Sequence, residues 1–277
     1  MIAQVPGAAM RALLVGFLIA TPSLLLASLA SGPSEIAALL AIIAATATFL
    51  EYRSAYPSFV EFRDAPPINR LRFISVLAMV FVLSVICKHI YQPTALTGMF
   101  SGISSIVGTA LDFPYSPIRM VVLMLPSDAS PLTVHVVRSG AGITYLIAAV
   151  TIGVFFLLVR LSGWPVGNGA FNVWVNLPLF DPTAGRDVVQ RLQRDGRVNI
   201  IIGALLPFVV PAAMTITSHI FPPMNLGNPH VLIWLLTGWA FIPASMIMRG
   251  IALFRISELI VEKRRRAYAN ADHMQTA

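Results

Sequence analysis

The amino-acid sequence predicts an all-α fold: a polytopic membrane bundle of about six transmembrane helices with one outward interfacial amphipathic helix. Of its 277 residues, 57% are hydrophobic and 11% are charged, whereas soluble domains carry about 25% charged residues. Its apolar runs are continuous and long enough to cross a hydrocarbon core of about 30 Å as helices. Its basic residues lie between these runs, as membrane topology requires.

The clearest span is the fourth, at residues 139–160. The run from Ser139 to Val159 holds 21 residues without a charge, and Arg138 and Arg160 flank it. About 20 helical residues are needed to cross a bilayer. This run therefore predicts a membrane-spanning helix.

The remaining spans are predicted at residues 12–30, 36–52, 73–91, 198–219 and 230–250. The first has two interpretations: a span kinked near Pro22, or a signal peptide cleaved after Ala30. The fifth and sixth are separated by the proline-rich break at 221–229. Residues 254–277 form a basic tail, and the whole chain, 1–277, is predicted to be one integral membrane domain.

The longest segment between spans, residues 92–138, contains a predicted amphipathic helix. Apolar residues recur at three- and four-residue spacing between Leu96 and Leu111, with serine and threonine between them. Because this helix carries almost no charge, we expect it to lie flat on the outer membrane surface.

The distribution of basic residues predicts the orientation. Sixteen of the 19 lysines and arginines fall on one side, which carries Arg11, the loops 51–72 and 160–197, Arg249 and the tail. Lys88, Arg119 and Arg138 fall on the other side. The positive-inside rule therefore places both termini in the cytoplasm. The excess of arginine over lysine suggests a bacterial source, so we expect a bacterial inner-membrane protein.

Catalytic and cofactor motifs are missing from the sequence. It has no P-loop, no Gly-x-Gly-x-x-Gly, no Gly-x-Ser-x-Gly and no His-Glu-x-x-His, and its one cysteine, Cys87, excludes an internal disulfide. Every acidic residue lies at a predicted helix end or in a loop, which disfavours a proton-coupled carrier. The sequence therefore predicts a non-enzymatic protein with no cofactor and no nucleic-acid partner.

Two weaker site hypotheses rest on residue type. Four histidines fall at the outward ends of predicted spans and could share a transition metal or haem: His89, His135, His219 and His230. Prolines kink the fifth and sixth spans and could free carbonyls that line a solute path: Pro207, Pro211 and Pro243.

The loops and tail of the basic side suggest contacts with lipid or with a partner. The apolar stretch 171–180 is too hydrophobic for an ordinary solvated loop, and basic clusters lie near the membrane surface. The predicted contact residues are Phe171, Trp174, Phe180, Arg191, Arg194, Lys263, Arg264, Arg265 and Arg266. The expected partners are anionic lipid headgroups and another membrane protein or a second copy of the chain.

Three functions remain open. The leading hypothesis is an inner-membrane accessory, scaffold or assembly protein that binds other membrane proteins. The alternatives are a small-solute transporter or channel that uses the kinked fifth and sixth spans, and a metal or haem protein that uses the outward histidines.

Overall fold

The computed structural model describes residues 5–27, 34–165, 171–178, 180, 187–218 and 225–275. Within these ranges the chain forms helices and no strand. The helices are α1 (Val5–Leu25), α2 (Ser34–Arg53), α3 (Ile68–Tyr91), α4 (Ala95–Leu111), α5 (Pro117–Leu123), α6 (Pro131–Leu161), α7 (Val173–Asn176), α8 (Val188–Thr217) and α9 (Pro229–Gln275).

Six of these helices are long and apolar enough to cross a membrane: α1, α2, α3, α6, α8 and α9. The predicted multi-span helical bundle is confirmed. Each of these helices begins before its predicted span, because a charge-free run marks only the part inside hydrocarbon. The helices α1 and α8 end at Leu25 and Thr217, before the predicted ends at residues 30 and 219. Arg11 and Arg138 lie within α1 and α6, and such long side chains can reach polar headgroups from inside a helix.

The centre of the bundle is built by α3, α6 and α9, which all pack against one another. Leu83, Val137, Ile233 and Leu236 are fully buried there. Around this centre, α8 packs along α9, and α1 and α2 form a hairpin in which α1 contacts α3.

The helix α4 is amphipathic, but it buries its polar face in the bundle and exposes its apolar face. A helix that lies on a membrane surface would instead turn its polar face to water. Its polar and small residues Thr97, Ser104 and Gly108 are buried, and it packs against α3 and α6. A Cβ atom built on Gly142 of α6 would lie 2.4 Å from the Gly108 Cα, so the two backbones touch. Its exposed large side chains are apolar: Leu96, Met99, Ile103 and Ile106. The helix was predicted, but its polar face packs against the bundle and does not face water.

The two ends of the bundle differ in charge. We call one the basic end: it carries Arg11, the loop 54–67, the described parts of 162–187 and the C-terminal half of α9. The other, which we call the opposite end, carries residues 92–130.

Candidate functional site

Hydrogen bonds of two charged side chains, Glu51 and Arg63, hold the backbone of the loop 54–67 at the basic end. Glu51 Oε1 accepts hydrogen bonds from the backbone N–H groups of Ser58, Phe59 and Val60 at 2.7, 2.9 and 3.0 Å. Arg63 donates to the carbonyl oxygens of Ser54, at 2.7 Å, and of Glu51, at 3.2 Å. These contacts close the loop onto the end of α2.

The same loop is bound to the segment after α6, about 100 residues further along the chain. The Phe62 N–H donates to the Asn176 carbonyl at 2.7 Å, and the Asp64 N–H donates to Asn176 Oδ1 at 3.0 Å. The Trp164 indole N–H donates to the carbonyl of Ala65 at 3.2 Å. Phe62 has a positive φ of 57°, which is strained for a bulky residue, and its complete burial against these partners stabilises that conformation.

Beneath this junction lies a second hydrophobic core, distinct from the centre of the bundle. It joins both loops to α6, α8 and α9. The Trp164 ring lies 6.0 Å from the Phe62 ring and 5.6 Å from the Phe155 ring, measured between centroids. Other members of this core are Ile68, Leu177, Leu192, Met248 and Ile256. Several apolar residues of these loops, among them Phe62, Trp164 and Leu177, therefore pack in the interior of the protein.

A buried ion pair fastens the loop 54–67 to α9. Arg249 donates from Nε to Glu61 Oε2 at 2.6 Å and from Nη2 to Glu61 Oε1 at 2.8 Å, and the Glu61 side chain is only 9% exposed. Arg72 lies nearby and donates to the carbonyl of Ser245 at 3.1 Å and to Asn69 Oδ1 at 3.3 Å. The buried Glu61 carboxylate thus compensates the charges of two arginines, Arg249 and Arg72.

The folded loop holds two aromatic side chains outward. Tyr56 is 78% exposed and Phe59 is 60% exposed, although the backbone between them is fixed by Glu51. The loop therefore presents a small apolar surface with a defined shape.

The helix α9 runs on past the bundle at the same end. It has 47 residues, or about 70 Å at 1.5 Å per residue. Residues 261–269 are exposed all round. Arg264 donates to Asp187 at 2.8 Å and Arg266 pairs with Glu262. Lys263 and Arg265 form no ion pair with any residue that the structure describes.

The contact residues predicted in 171–194 do not form one exposed surface. Phe180 is 7% exposed and lies in the second core, with the Arg191 guanidinium 4.7 Å from its ring centroid, so the prediction that it meets lipid or a partner is wrong. Phe171 is half-buried against the same core, and Arg194 is exposed. The side chain of Trp174 lies outside the described part of the structure.

The outward histidines that the structure describes lie on three different helices and have different surroundings. His89 shares a hydrogen bond of 3.0 Å with the Thr97 hydroxyl, His135 is exposed on α6, and His230 lies in the first turn of α9. His219 lies outside the described residues. Among the residues that are described, no three His, Cys, Asp or Glu side chains lie where they could hold a metal ion.

The kink prolines lie where α8 and α9 meet. Pro207, Pro211 and Pro243 are all buried. Because Pro211 has no N–H, the Pro207 carbonyl has no partner in its own helix, and the Trp239 indole N–H donates to it at 3.0 Å. This contact occupies one of the carbonyls that the transporter hypothesis would use.

A second charged cluster lies at the opposite end. The Asp112 carboxylate is 5% exposed and lies 2.9 Å from Arg119 Nε and 2.8 Å from Arg138 Nε. The Arg138 Nε–H forms no well-aligned hydrogen bond, so the contact is an electrostatic pairing. It joins the end of α4 to α5 and α6.

Sequence reasoning missed both charged clusters, because Glu61 and Arg249 are 188 residues apart and Asp112 and Arg138 lie on different helical segments, so no spacing rule connects them. The only local indication was that Glu61 and Asp112 each stand beside bulky apolar residues.

Comparison of the chain with protein-family models, curated proteins and solved structures finds no match in any of the three.

Proposed function

We propose that this protein is a non-enzymatic accessory or scaffold protein of the bacterial inner membrane. In this proposal it binds another membrane protein through its basic end, and both termini lie in the cytoplasm. The observation that carries the proposal is the loop 54–67, which presents exposed aromatic side chains on a fixed backbone.

A rigid aromatic surface suits protein recognition for two reasons. Tyr56 and Phe59 offer large contact areas, and aromatic residues are enriched among those that dominate binding energies. Binding also loses less conformational entropy when the loop is already ordered, and the contacts of Glu51 and Arg63 provide that order.

The charges of the same end favour an acidic partner. Lys263 and Arg265 are exposed on α9 without an ion-pair partner in the described residues. Exposed charges of this kind mainly raise association rates and exclude partners of like charge. The proposed partner is therefore a membrane protein with an acidic cytoplasmic surface.

Affinity purification from native membranes in mild detergent, with mass spectrometry of the co-eluting proteins, tests the proposal. The variant Tyr56→Ser/Phe59→Ser should lose a stoichiometric membrane partner that the wild type retains. The matched control is Phe113→Ser/Tyr115→Ser, because these side chains are also exposed, at 55% and 87%, but lie at the opposite end.

Two results would count against the proposal. If the loop variant keeps the partner, the loop is not the contact. If the wild-type protein elutes without any stoichiometric partner, the accessory function itself fails, and solute uptake by the purified protein in liposomes becomes the next measurement.

A further inference from the structure

A cavity of about 820 Å³ opens at the basic end between α1, α2, α3 and the loop 54–67. It is separate from the exposed aromatic side chains of the loop. Its lining divides into a charged part, with Arg11, Arg63 and Arg70, and an apolar part that includes Leu14 and Ile74.

Two of the three arginines have free hydrogen-bonding capacity. Arg70 is exposed and makes no hydrogen bond or ion pair with any described residue. The Arg11 guanidinium lies 4.6 Å from the centre of the Tyr52 ring, a cation–π contact that fixes its position but uses no N–H group. Arg63 is engaged with loop carbonyls and contributes charge only.

The charge of the lining is positive overall. Among the described residues of the lining, Asp64 is the one acid, and it lies 3.5 Å from Arg63 with its side chain 62% exposed. Arg11 and Arg70 are left without a carboxylate among the described residues. An anionic group placed between α1 and α3 would therefore meet two guanidinium groups.

The apolar wall begins one helical turn further into the bundle. Leu14 follows Arg11 by three residues on α1, and Ile74 follows Arg70 by four residues on α3, so each pair shares a helix face. Leu14 is 40% exposed and Ile74 is 59% exposed, which leaves the cavity bordered by apolar surface on its outer side.

We infer that this cavity binds the phosphate headgroup of an anionic phospholipid from the leaflet at the basic end. Arg11 and Arg70 contact the phosphate, and the first part of an acyl chain lies along Leu14 and Ile74. Guanidinium groups form charge-assisted hydrogen bonds with phosphate, and basic pockets between transmembrane helices are suited to acidic headgroups.

The apolar wall distinguishes a lipid from a soluble phosphate. A free phosphate or a sugar phosphate gains nothing from contact with Leu14 and Ile74, whereas each buried CH₂ group of an acyl chain is favourable. The site therefore favours an amphiphilic ligand over a soluble phosphate. It is a second binding site, independent of the partner contact proposed for the loop.

The test uses the full chain, purified in a neutral detergent, with thermal unfolding measured against added ligand. The ligands are dioctanoyl phosphatidylglycerol, dioctanoyl phosphatidylcholine and glycerol 3-phosphate. The variants are Arg11→Gln, Arg70→Gln and the double variant. The control is Arg53→Gln, which removes an exposed arginine of the same end that does not line the cavity.

Phosphatidylglycerol should raise the unfolding temperature of the wild type at lower concentration than phosphatidylcholine, and glycerol 3-phosphate should have little effect. Since one arginine near an anionic headgroup contributes about fivefold in affinity, each single variant should bind about fivefold more weakly and the double variant about 30-fold. The Arg53→Gln control should match the wild type.

Each remaining outcome overturns the inference. Equal responses to phosphatidylglycerol and glycerol 3-phosphate would show a site for free phosphate. Equal responses to both lipids would show binding by apolar contact alone. Equal losses in Arg53→Gln and Arg70→Gln would show diffuse attraction to the whole basic end.

Discussion

The buried ion pair between Glu61 and Arg249 gives the sharpest prediction about stability. The variant Glu61→Gln keeps the size of the side chain but removes its charge. It leaves Arg249 without its carboxylate. It also removes the carboxylate that compensates the charge of Arg72, which has no second carboxylate partner among the described residues.

The magnitude follows from burial. Removing one partner of a fully buried ion pair costs about 3–5 kcal/mol, because the remaining charge is stranded away from water. The Arg249 side chain is 25% exposed, so water can solvate it in part. We therefore expect Glu61→Gln to lower the free energy of unfolding by about 2–4 kcal/mol.

The assay is equilibrium unfolding in mixed micelles with a rising fraction of dodecyl sulfate, followed by tryptophan fluorescence. Trp164, one of the four tryptophans, lies in the core that the ion pair supports, so part of the fluorescence signal reports on this region. The control is Glu258→Gln, which removes an exposed carboxylate paired with Arg255 and should cost less than about 0.5 kcal/mol.

A double-mutant cycle separates the pair from its surroundings. Arg249→Met alone leaves Glu61 buried and unpaired, whereas Glu61→Gln with Arg249→Met leaves neither charge, so the double variant should cost less than the sum of the single ones. If Glu61→Gln and Glu258→Gln unfold alike, the ion pair does not fasten the loop and the reasoning is refuted.

Three further predictions concern packing, a proline kink and a surface contact. Gly142→Ala should lower the free energy of unfolding by about 1–3 kcal/mol, because the new Cβ would enter the backbone of α4. Gly153→Ala should be near neutral in the same unfolding assay, because its Cβ would meet no packing atom within 4 Å outside its own stretch of helix. Trp239→Phe should cost about 1–3 kcal/mol by leaving a proline carbonyl without its donor, and an unchanged unfolding midpoint would contradict this. The hydrogen bond from Arg264 lowers the pKa of Asp187. The ion pair is therefore fully formed above the ordinary aspartate pKa of about 3.9, and it is lost as the pH falls through the lowered pKa of Asp187. The carbon-13 shift of the Asp187 carboxyl should titrate below the ordinary value, and its midpoint should move up toward that value in Arg264→Gln, where the backbone N–H groups of Val189 and Gln190 still lower the pKa.

The spans were predictable because their information is local. A run such as 139–160 carries its own apolar length and its own flanking charges, and neither depends on a distant residue. The helix ends were less predictable, because α6 begins at Pro131 and continues through Arg138. The charge-free run therefore identifies the residues that cross the hydrocarbon, but it does not identify where the helix begins and ends.

The arrangement of the basic end could not be read from the sequence. Glu61 and Arg249 are 188 residues apart, and no spacing rule connects them. The apolar residues of 171–180 looked like a surface for lipid or a partner, but Phe180 is buried because the loops fold onto each other. In α4, the pattern gave the helix but not the face that it buries, since the polar stripe packs against α6 through Gly108.

The proposed partner contact depends on the basic end facing the cytoplasm. The only native cysteine, Cys87, is 1% exposed and gives little background in cysteine labelling. A cysteine at Tyr56 marks the basic end, and a cysteine at Ser127 marks the opposite end. In intact spheroplasts, a membrane-impermeant maleimide should label Ser127→Cys at once and Tyr56→Cys only after the membrane is permeabilised. Immediate labelling of Tyr56→Cys, with Ser127→Cys protected, would contradict the proposed orientation and the function built on it.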